Sequence, residues 1–356
     1  IALYEKKLRI YVPDRVAIEK KNKPALFVLS APRSGSTLFR VMLAGSPQLF
    51  APPELALLFY ESLAERKAAY SQHSFGADEG LLQAVMTLKN CNEQLARSMV
   101  AELENEKATT AEVYGRIQEW CDDRMLVDKT PAYASSVEIM RRGEKYFEET
   151  RYIHLVRHPY GMIRSYNEAR LDQFIDGKHL KELPFSRLEL AELIWLTYNR
   201  NIFNFLKEIP QKRQLLVKYE TLVTTPQPTM EDVCLFLGIE YTREMLDPYK
   251  EKSRRMTEAI NPATRMLGDH KFHDHNKIDP QIATAWKSAF HKDFLGDQTW
   301  QLADTLDYRD RIQETESSDT QVEQLLDLNE EDALAQIRDL SNEELNQQLR
   351  EMLNYK

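Results

Sequence analysis

Residues 27–41 read Phe-Val-Leu-Ser-Ala-Pro-Arg-Ser-Gly-Ser-Thr-Leu-Phe-Arg-Val. The apolar run 26–29 predicts a strand, Ser30 to Gly35 a tight loop, and Ser36 onward a helix. A loop of this kind aims the free N–H groups of a helix N-terminus at one point, which suits an anion such as a phosphate. Arg33 brings a charge to that point, and Ser36 and Thr37 bring hydroxyls. The loop is not a Walker A motif, since Gly-x-x-x-x-Gly-Lys-Ser/Thr is absent. The plainer alternative is a strand–helix turn that simply needs Gly35.

Working outward, Arg151-Tyr-Ile-His-Leu-Val156 alternates and is β-rich, so it predicts a buried strand. It delivers Arg157 at its C-terminal end, the edge where open α/β sheets bind ligands. Arg157-His158-Pro159 then opens a helix, with Pro159 suited to its first turn. Ser165 lies eight residues after Arg157, so a strand-end arginine and a helix hydroxyl can share one phosphate. Taken alone, Ser165 reads equally as an ordinary helix-surface serine.

Strands are expected at 26–30, 125–127, 151–156 and 214–219. Helices are expected at 36–45, 54–70, 79–105, 110–121, 133–146, 159–174, 186–208, 228–237, 280–290 and 297–307. Strands alternating with helices argue for an α/β fold with a central parallel sheet under helical cover.

The loop Ser30-Ala-Pro-Arg-Ser-Gly-Ser-Thr37 resembles the 5′-phosphosulfate loop of sulfotransferases that use 3′-phosphoadenosine 5′-phosphosulfate (PAPS). Arg157 with Ser165 resembles their 3′-phosphate site. Val217-Lys-Tyr-Glu-Thr-Leu-Val223 resembles the strand whose tyrosine, here Tyr219, lies near the nucleotide. Gly268-Asp-His-Lys-Phe-His-Asp-His-Asn-Lys-Ile-Asp-Pro280, followed by Trp286, resembles the late loop that covers it. The resemblance spans residues 25–290. It implies a P-loop-like sulfotransferase fold with helices on both faces of the sheet and PAPS as cosubstrate. It implies that Arg33, Ser34, Gly35, Ser36, Thr37, Arg157, Ser165, Tyr219 and Lys277 hold the nucleotide.

A finer resemblance lies in the Pro-Arg-Ser-Gly loop and in Glu54, 21 residues after Arg33. Both are similar to the tyrosylprotein sulfotransferase branch, whose matching glutamate is the catalytic base. Asp128-Lys129-Thr130-Pro131 resembles the segment that carries a catalytic lysine there. No Lys-x-His segment of the cytosolic branch is found. The whole chain most resembles the sulfotransferase domains of cyanobacterial polyketide and olefin synthases. These sulfonate a β-hydroxyacyl chain on an acyl carrier protein before a thioesterase forms a terminal alkene. The resemblance thus implies catalytic roles for Glu54, Lys129 and Arg33, with an acyl carrier protein and neighbouring synthase domains as partners.

An alcohol is too weakly acidic to attack unaided, so a base is required. Glu54, after Pro52-Pro53 at the head of an expected helix, is expected to be buried with a raised pKa. Its plainer reading is a helix-terminal glutamate favoured by the dipole. His270, His273 and His275 lack the spacing of a metal-binding helix motif, so no metal is expected. His270 and His273 are taken as acceptor-side contacts, against solvated charge. His154 is expected to be a packed core histidine.

The chain has 356 residues, 42% hydrophobic and 29% charged, which fits a globular protein. It carries no apolar run near the ~20 residues a membrane span needs. Cys91, Cys121 and Cys234 are isolated, so a reducing cytoplasm is expected rather than a disulfide framework. The absent initiator Met and signal pattern suggest a piece of a longer chain or a processed product. The net charge of −9 is uneven, with 13 acidic and 5 basic residues between 308 and 356. The body is near neutral, which gives no reason to expect nucleic-acid binding. An acidic carrier would need a local basic patch; Arg141, Arg142, Lys145 and Arg151 are candidates, against ordinary surface charge.

The expected organisation is a linker at 1–24, the catalytic domain at 25–307 and a linker at 308–320. A helical insertion, 70–125, sits inside the domain and resembles an active-site flap; a plain surface loop is the alternative. An acidic helical tail occupies 321–356, with an N-cap pattern at Ser341-Asn-Glu-Glu344 and an interdomain role. The reading from these residues is a PAPS-dependent sulfotransferase acting on a carrier-bound β-hydroxyl. A free alcohol or protein tyrosine remains an alternative acceptor. A triphosphate-using P-loop enzyme and a scaffold domain without catalysis are rivals of other classes.

Overall fold

The structure, a computed structural model, describes residues 17–70, 79–169, 185–250, 272 and 275–312. Among these, five strands form one sheet: β1 Leu26–Leu29, β2 Leu49–Phe50, β3 Met125–Asp128, β4 Arg151–Val156 and β5 Gln214–Lys218. Their order is β2-β3-β1-β4-β5, and every pairing is parallel. The described α-helices are α1 Ser36–Leu43, α2 Leu63–Tyr70, α3 Glu79–Lys89, α4 Glu93–Asn105, α5 Thr110–Trp120, α6 Val137–Tyr146, α7 Pro159–Glu168, α8 Arg187–Leu206, α9 Tyr219–Thr224, α10 Pro226–Leu237 and α11 Asp297–Thr305.

The period-2 geometry of a strand explains why helices cover both faces. Phe27 and Leu29 of β1 enter one core with residues of α3 to α6 and the end of α8. Leu26 and Val28 enter a second core with α1, α9 and α10. All four side chains are buried, each contributing about 1.5–3 kcal/mol. A strand buried on both sides cannot alternate in polarity, and β1 is apolar throughout.

Several expected boundaries shift for physical reasons. The expected helix 54–70 begins only at Leu63; residues 51–59 form no helix or strand. The expected helix 79–105 is two helices. Asn90 has φ 48° and breaks the first, and the Asn92 side chain caps the second by accepting from Leu95 N. Ser136 likewise starts α6, after a 3₁₀ turn over Pro131–Ser135. The expected helix 280–290 is two 3₁₀ turns, Pro280–Ala283 and Ala285–Ser288.

The described part of the expected insertion contributes to the core. Leu81, Leu82, Ala84, Val85, Val100, Val113, Tyr114 and Ile117 are all buried in the first cluster. Its polar stretch 71–78 lies outside the described residues, as do 313–356 and the expected acidic tail. The body also extends past both expected linker boundaries. Asn22 N donates to Tyr146 O, and the buried Tyr308 hydroxyl donates to Glu220 Oε2 at 2.7 Å and lies 3.2 Å from Val156 O.

Candidate active site

Because all strands run parallel, their C-terminal ends share one edge, where ligands of open α/β sheets bind. Each strand delivers one expected site element there. Glu54 follows β2, Lys129 follows β3, the 30–35 loop follows β1, Arg157 follows β4 and Tyr219 follows β5.

The loop turns into α1 through Arg33, φ 62°, and Gly35, φ 85°. Gly35 is the N-cap, with no side chain capping the helix, so the first-turn N–H groups face outward. Ser30 and Ser34 are fully buried, and their hydroxyls find no partner among the described residues. A buried hydroxyl beside an uncapped helix start offers further donors to an anion. Ser36 is buried and Thr37 half-buried.

Arg157, Ser165, Tyr219 and the loop meet in space. Arg157 Nη1 donates to Arg33 O at 3.1 Å, and its guanidinium lies 4.4 Å from the Tyr219 ring centre. Arg33 Nε donates to Ser165 Oγ at 3.2 Å. The Tyr219 ring presses on the loop so closely that a Cβ at Gly35 would lie 2.2 Å from it. Arg157 is itself fixed from behind, since Trp195 Nε1 donates to its carbonyl at 2.8 Å. Two converging guanidinium groups and a hydroxyl suit a dianionic phosphate.

His158 continues this wall. Its ring stacks on Trp286 at 4.1 Å, and its Nε2 lies 2.9 Å from Asp310 O. Burial pushes the His158 pKa down to about 4, with the Asp310 carbonyl opposing. His154 is a core residue, as expected. It lies 2.9 Å from Asn199 Oδ1, and burial pushes its pKa down to about 4. Both rings are therefore neutral when folded, while the unfolded chain takes up protons below about pH 6.5. Stability is thus lost as pH falls from about 6.5 toward 4, by about 3 kcal/mol per histidine. Asp128, raised to about 6 by burial, works the other way over about pH 6 to 4 and offsets roughly one of them. Urea unfolding at pH 7 and pH 4.5 checks this. His154→Gln is expected to flatten the acid-side loss, and an unchanged pH slope would refute the assignment.

On the other side of the loop, Lys129 Nζ donates to Glu54 Oε1 at 2.6 Å. The lysine side chain is 4% exposed and the glutamate 49% exposed. Glu54 is therefore neither at a helix start nor buried, which corrects both expectations. It stands at the surface with one oxygen held and the carboxylate open to solvent. The chain here is fixed by neighbours. Arg40, buried in α1, donates to Ala51 O at 2.9 Å, and burial pushes its pKa down to about 10 while the Glu54 charge opposes. A Cβ at Gly80 of α3 would lie 1.9 Å from Glu54 O, so only glycine permits this approach.

Asp128, just before Lys129, is buried and accepts from three hydroxyls. These are Tyr114 at 2.5 Å, Thr130 at 2.8 Å and Tyr133 at 3.0 Å. Neither this cluster nor Arg40 was picked out from the sequence. The available signal was a charge inside an apolar run: Phe39-Arg40-Val41 and Leu126-Val127-Asp128.

Lys277 is exposed near Pro280–Ala283, and His270 and His273 lie outside the described residues. The candidate basic patch is engaged within the fold. Arg142 is buried and donates to Leu58 O at 3.0 Å, Arg151 donates to Leu237 O, and Arg141 pairs with Glu138 and Glu208. A cleft of about 630 Å³ runs beside β2, lined by Leu49, Phe50, Pro52, Pro53, Thr87 and Lys250. It reaches the residue next to Glu54, while the 30–37 loop does not line it. No described helix is long and apolar enough to cross a membrane.

The sulfotransferase family model matches residues 24–243. Among solved structures, the chain is similar to the sulfotransferase domain from the curacin biosynthetic pathway. The identity is 36%, the TM-score 0.75, and the match covers 82% of this chain and 99% of that one. It is also similar to the sulfotransferase domain of the Synechococcus PCC 7002 olefin synthase. There the identity is 35%, the TM-score 0.73, and the coverage 84% and 100%. A curated relative, nodulation protein NoeE of Sinorhizobium fredii (strain NBRC 101917 / NGR234), is 25% identical over 273 residues. That match takes in 74% of this chain but only 59% of NoeE.

Proposed function

The chain belongs to the sulfotransferase family, and we propose that it transfers a sulfuryl group from PAPS to the β-hydroxyl of an acyl chain held by an acyl carrier protein. The observation that supports this acceptor is the match to two sulfotransferase domains, one from the curacin biosynthetic pathway and one from an olefin synthase, each covered almost end to end. The cleft beside β2, whose lining includes Pro53 next to Glu54, supports it as a place where an acyl chain could lie.

Bound PAPS supplies an activated sulfuryl group, and the protein's work is positioning and charge stabilisation. The N–H groups at the start of α1, with Ser34, Ser36 and Thr37, hold the 5′-phosphate. Arg157 and Ser165 hold the 3′-phosphate, with Tyr219 packed beside the loop. Glu54 takes the proton of the acceptor hydroxyl as the new S–O bond forms. The S–O bond to the 5′-phosphate breaks, and Lys129 and Arg33 stabilise the charge left on that phosphate. The product sulfate ester is a good leaving group, which suits a later elimination by a neighbouring domain.

The test is to incubate the protein with PAPS and a β-hydroxyacyl carrier protein and to weigh the intact carrier. A gain of one SO₃ group is expected. An unmodified carrier, alongside sulfation of a free alcohol or phenol, would overturn the acceptor while keeping the donor.

A further inference from the structure

The residues that carry Glu54 form no regular structure, yet their backbone is held at nearly every step. Thr130 Oγ1 accepts from Ala56 N at 3.3 Å. The Tyr133 hydroxyl accepts from Leu57 N at 2.9 Å and from Leu58 N at 3.3 Å. Arg142 donates to Leu58 O at 3.0 Å, and Thr110 Oγ1 donates to Tyr60 O at 2.6 Å. Ala56 itself has φ 52°, a left-handed conformation that an alanine keeps only when its surroundings impose it.

One buried group sets the direction of these bonds. A hydroxyl has a single proton and two lone pairs. Thr130 and Tyr133 both spend that proton on Asp128, at 2.8 and 3.0 Å, and Tyr114 adds a third donor at 2.5 Å. Their lone pairs are therefore left to face the N–H groups of residues 56–58. The Tyr133 hydroxyl is fully used, with one proton given and two accepted. Asp128 also immediately precedes Lys129, the partner of Glu54. The same carboxylate thus anchors both strands of chain that meet in the 2.6 Å pair.

We propose that Asp128 is a positioning residue for the transfer reaction. Acting through Thr130 and Tyr133 on the backbone of residues 56–58, it fixes the Glu54 carboxylate against Lys129. It touches no reacting atom. The inference rests on Glu54 being the base, as in the reading above. An amide in place of the carboxylate keeps the volume but replaces one of the two acceptor oxygens with an NH2 that can only donate. At least one hydroxyl must then turn its proton toward the 56–58 backbone and lose its hold on an N–H.

The test combines turnover, product-nucleotide binding and hydrogen exchange in Asp128→Asn, Tyr133→Phe and Thr130→Ser. Asp128→Asn and Tyr133→Phe are expected to lower kcat by roughly 10- to 100-fold, the loss expected of a misplaced catalytic group. The Kd for 3′-phosphoadenosine 5′-phosphate should stay within about threefold, because these residues do not line the nucleotide loop. Amide exchange at 56–58 should quicken by at least about tenfold. Thr130→Ser keeps the hydroxyl and should retain most turnover. In a Glu54→Gln background, Asp128→Asn should cost almost nothing further, because residues that act as a unit are not additive.

Unchanged kcat in both Asp128→Asn and Tyr133→Phe overturns the proposal. So does an equal further loss in the Glu54→Gln background, which is the mark of a merely structural role. If Asp128→Asn fails to fold, Tyr133→Phe decides alone. Full turnover in Glu54→Gln by itself overturns the base reading and this inference with it. A wild type that sulfonates no carrier overturns only the acceptor, and exchange at 56–58 then decides. Unchanged protection in Tyr133→Phe would overturn the role.

Discussion

Glu54→Gln is expected to lower kcat by about 10²- to 10⁴-fold, the range for removing a general base. The affinity for 3′-phosphoadenosine 5′-phosphate should persist. The substitution is nearly isosteric, and the amide oxygen can still accept from Lys129 Nζ, which now sits 2.6 Å from Glu54 Oε1. Geometry is therefore kept while basicity is lost. Glu54 lies on the β2 side of the sheet edge, and the Arg157–Ser165–Tyr219 cluster is attached to β4, α7 and α9, beyond β1. That separation is why nucleotide binding should not follow turnover. Some stability cost is expected, because Lys129 is only 4% exposed and its ammonium loses a counter-charge, and the amide oxygen that still accepts from it limits that cost. Single-turnover sulfation and calorimetric titration with the product nucleotide separate the two effects. Near-normal turnover would sink the base role, and a parallel collapse of nucleotide affinity would mean that Glu54 supports the loop instead.

The parts of this site that the sequence made legible are those where local chemistry and fold agree. β1, β4 and β5 are apolar or alternating runs, and each is followed directly by a residue with a polar group: Ser30, Arg157 and Tyr219. The loop's glycine and hydroxyls lie within eight residues, so one window holds the whole motif. β2 is only two residues long and leaves no periodicity to read. Residues 54–59 failed differently. Leu55-Ala-Leu-Leu-Phe59 looks helical, but Tyr133, Thr130, Thr110 and Arg142 hold its backbone in another conformation. Tertiary partners overrode propensity there. The Asp128 cluster was illegible for the same reason. Its hydroxyls come from α5, from the second residue after β3 and from a 3₁₀ turn, and no spacing rule links them. Glu54 and Lys129 became candidates only through family resemblance, since 75 residues separate them.

Gly35→Ala is expected to abolish nucleotide binding, weakening the product nucleotide by more than about 100-fold, and to lower the melting temperature. Two independent penalties act at this one atom. The backbone at φ 85° costs an alanine on the order of 1–2 kcal/mol. The new methyl would stand 2.2 and 2.3 Å from two ring carbons of Tyr219, a distance no packing tolerates. The ring has to move, and it is not free to do so harmlessly. Its face supports the Arg157 guanidinium at 4.4 Å, and Arg157 donates to Arg33 O at 3.1 Å. Arg33 in turn reaches Ser165 Oγ at 3.2 Å. One methyl therefore displaces the group facing each proposed phosphate, at both ends of the site. A second substitution separates the penalties: Tyr219→Ala in the Gly35→Ala chain removes the clash but leaves the strained φ. That double variant should regain part of the melting temperature while staying poor at binding, because the platform under Arg157 is gone. Product-nucleotide affinity within about threefold of wild type in Gly35→Ala would mean that the loop relaxes without consequence. The 30–37 turn would then have no claim to hold a phosphate.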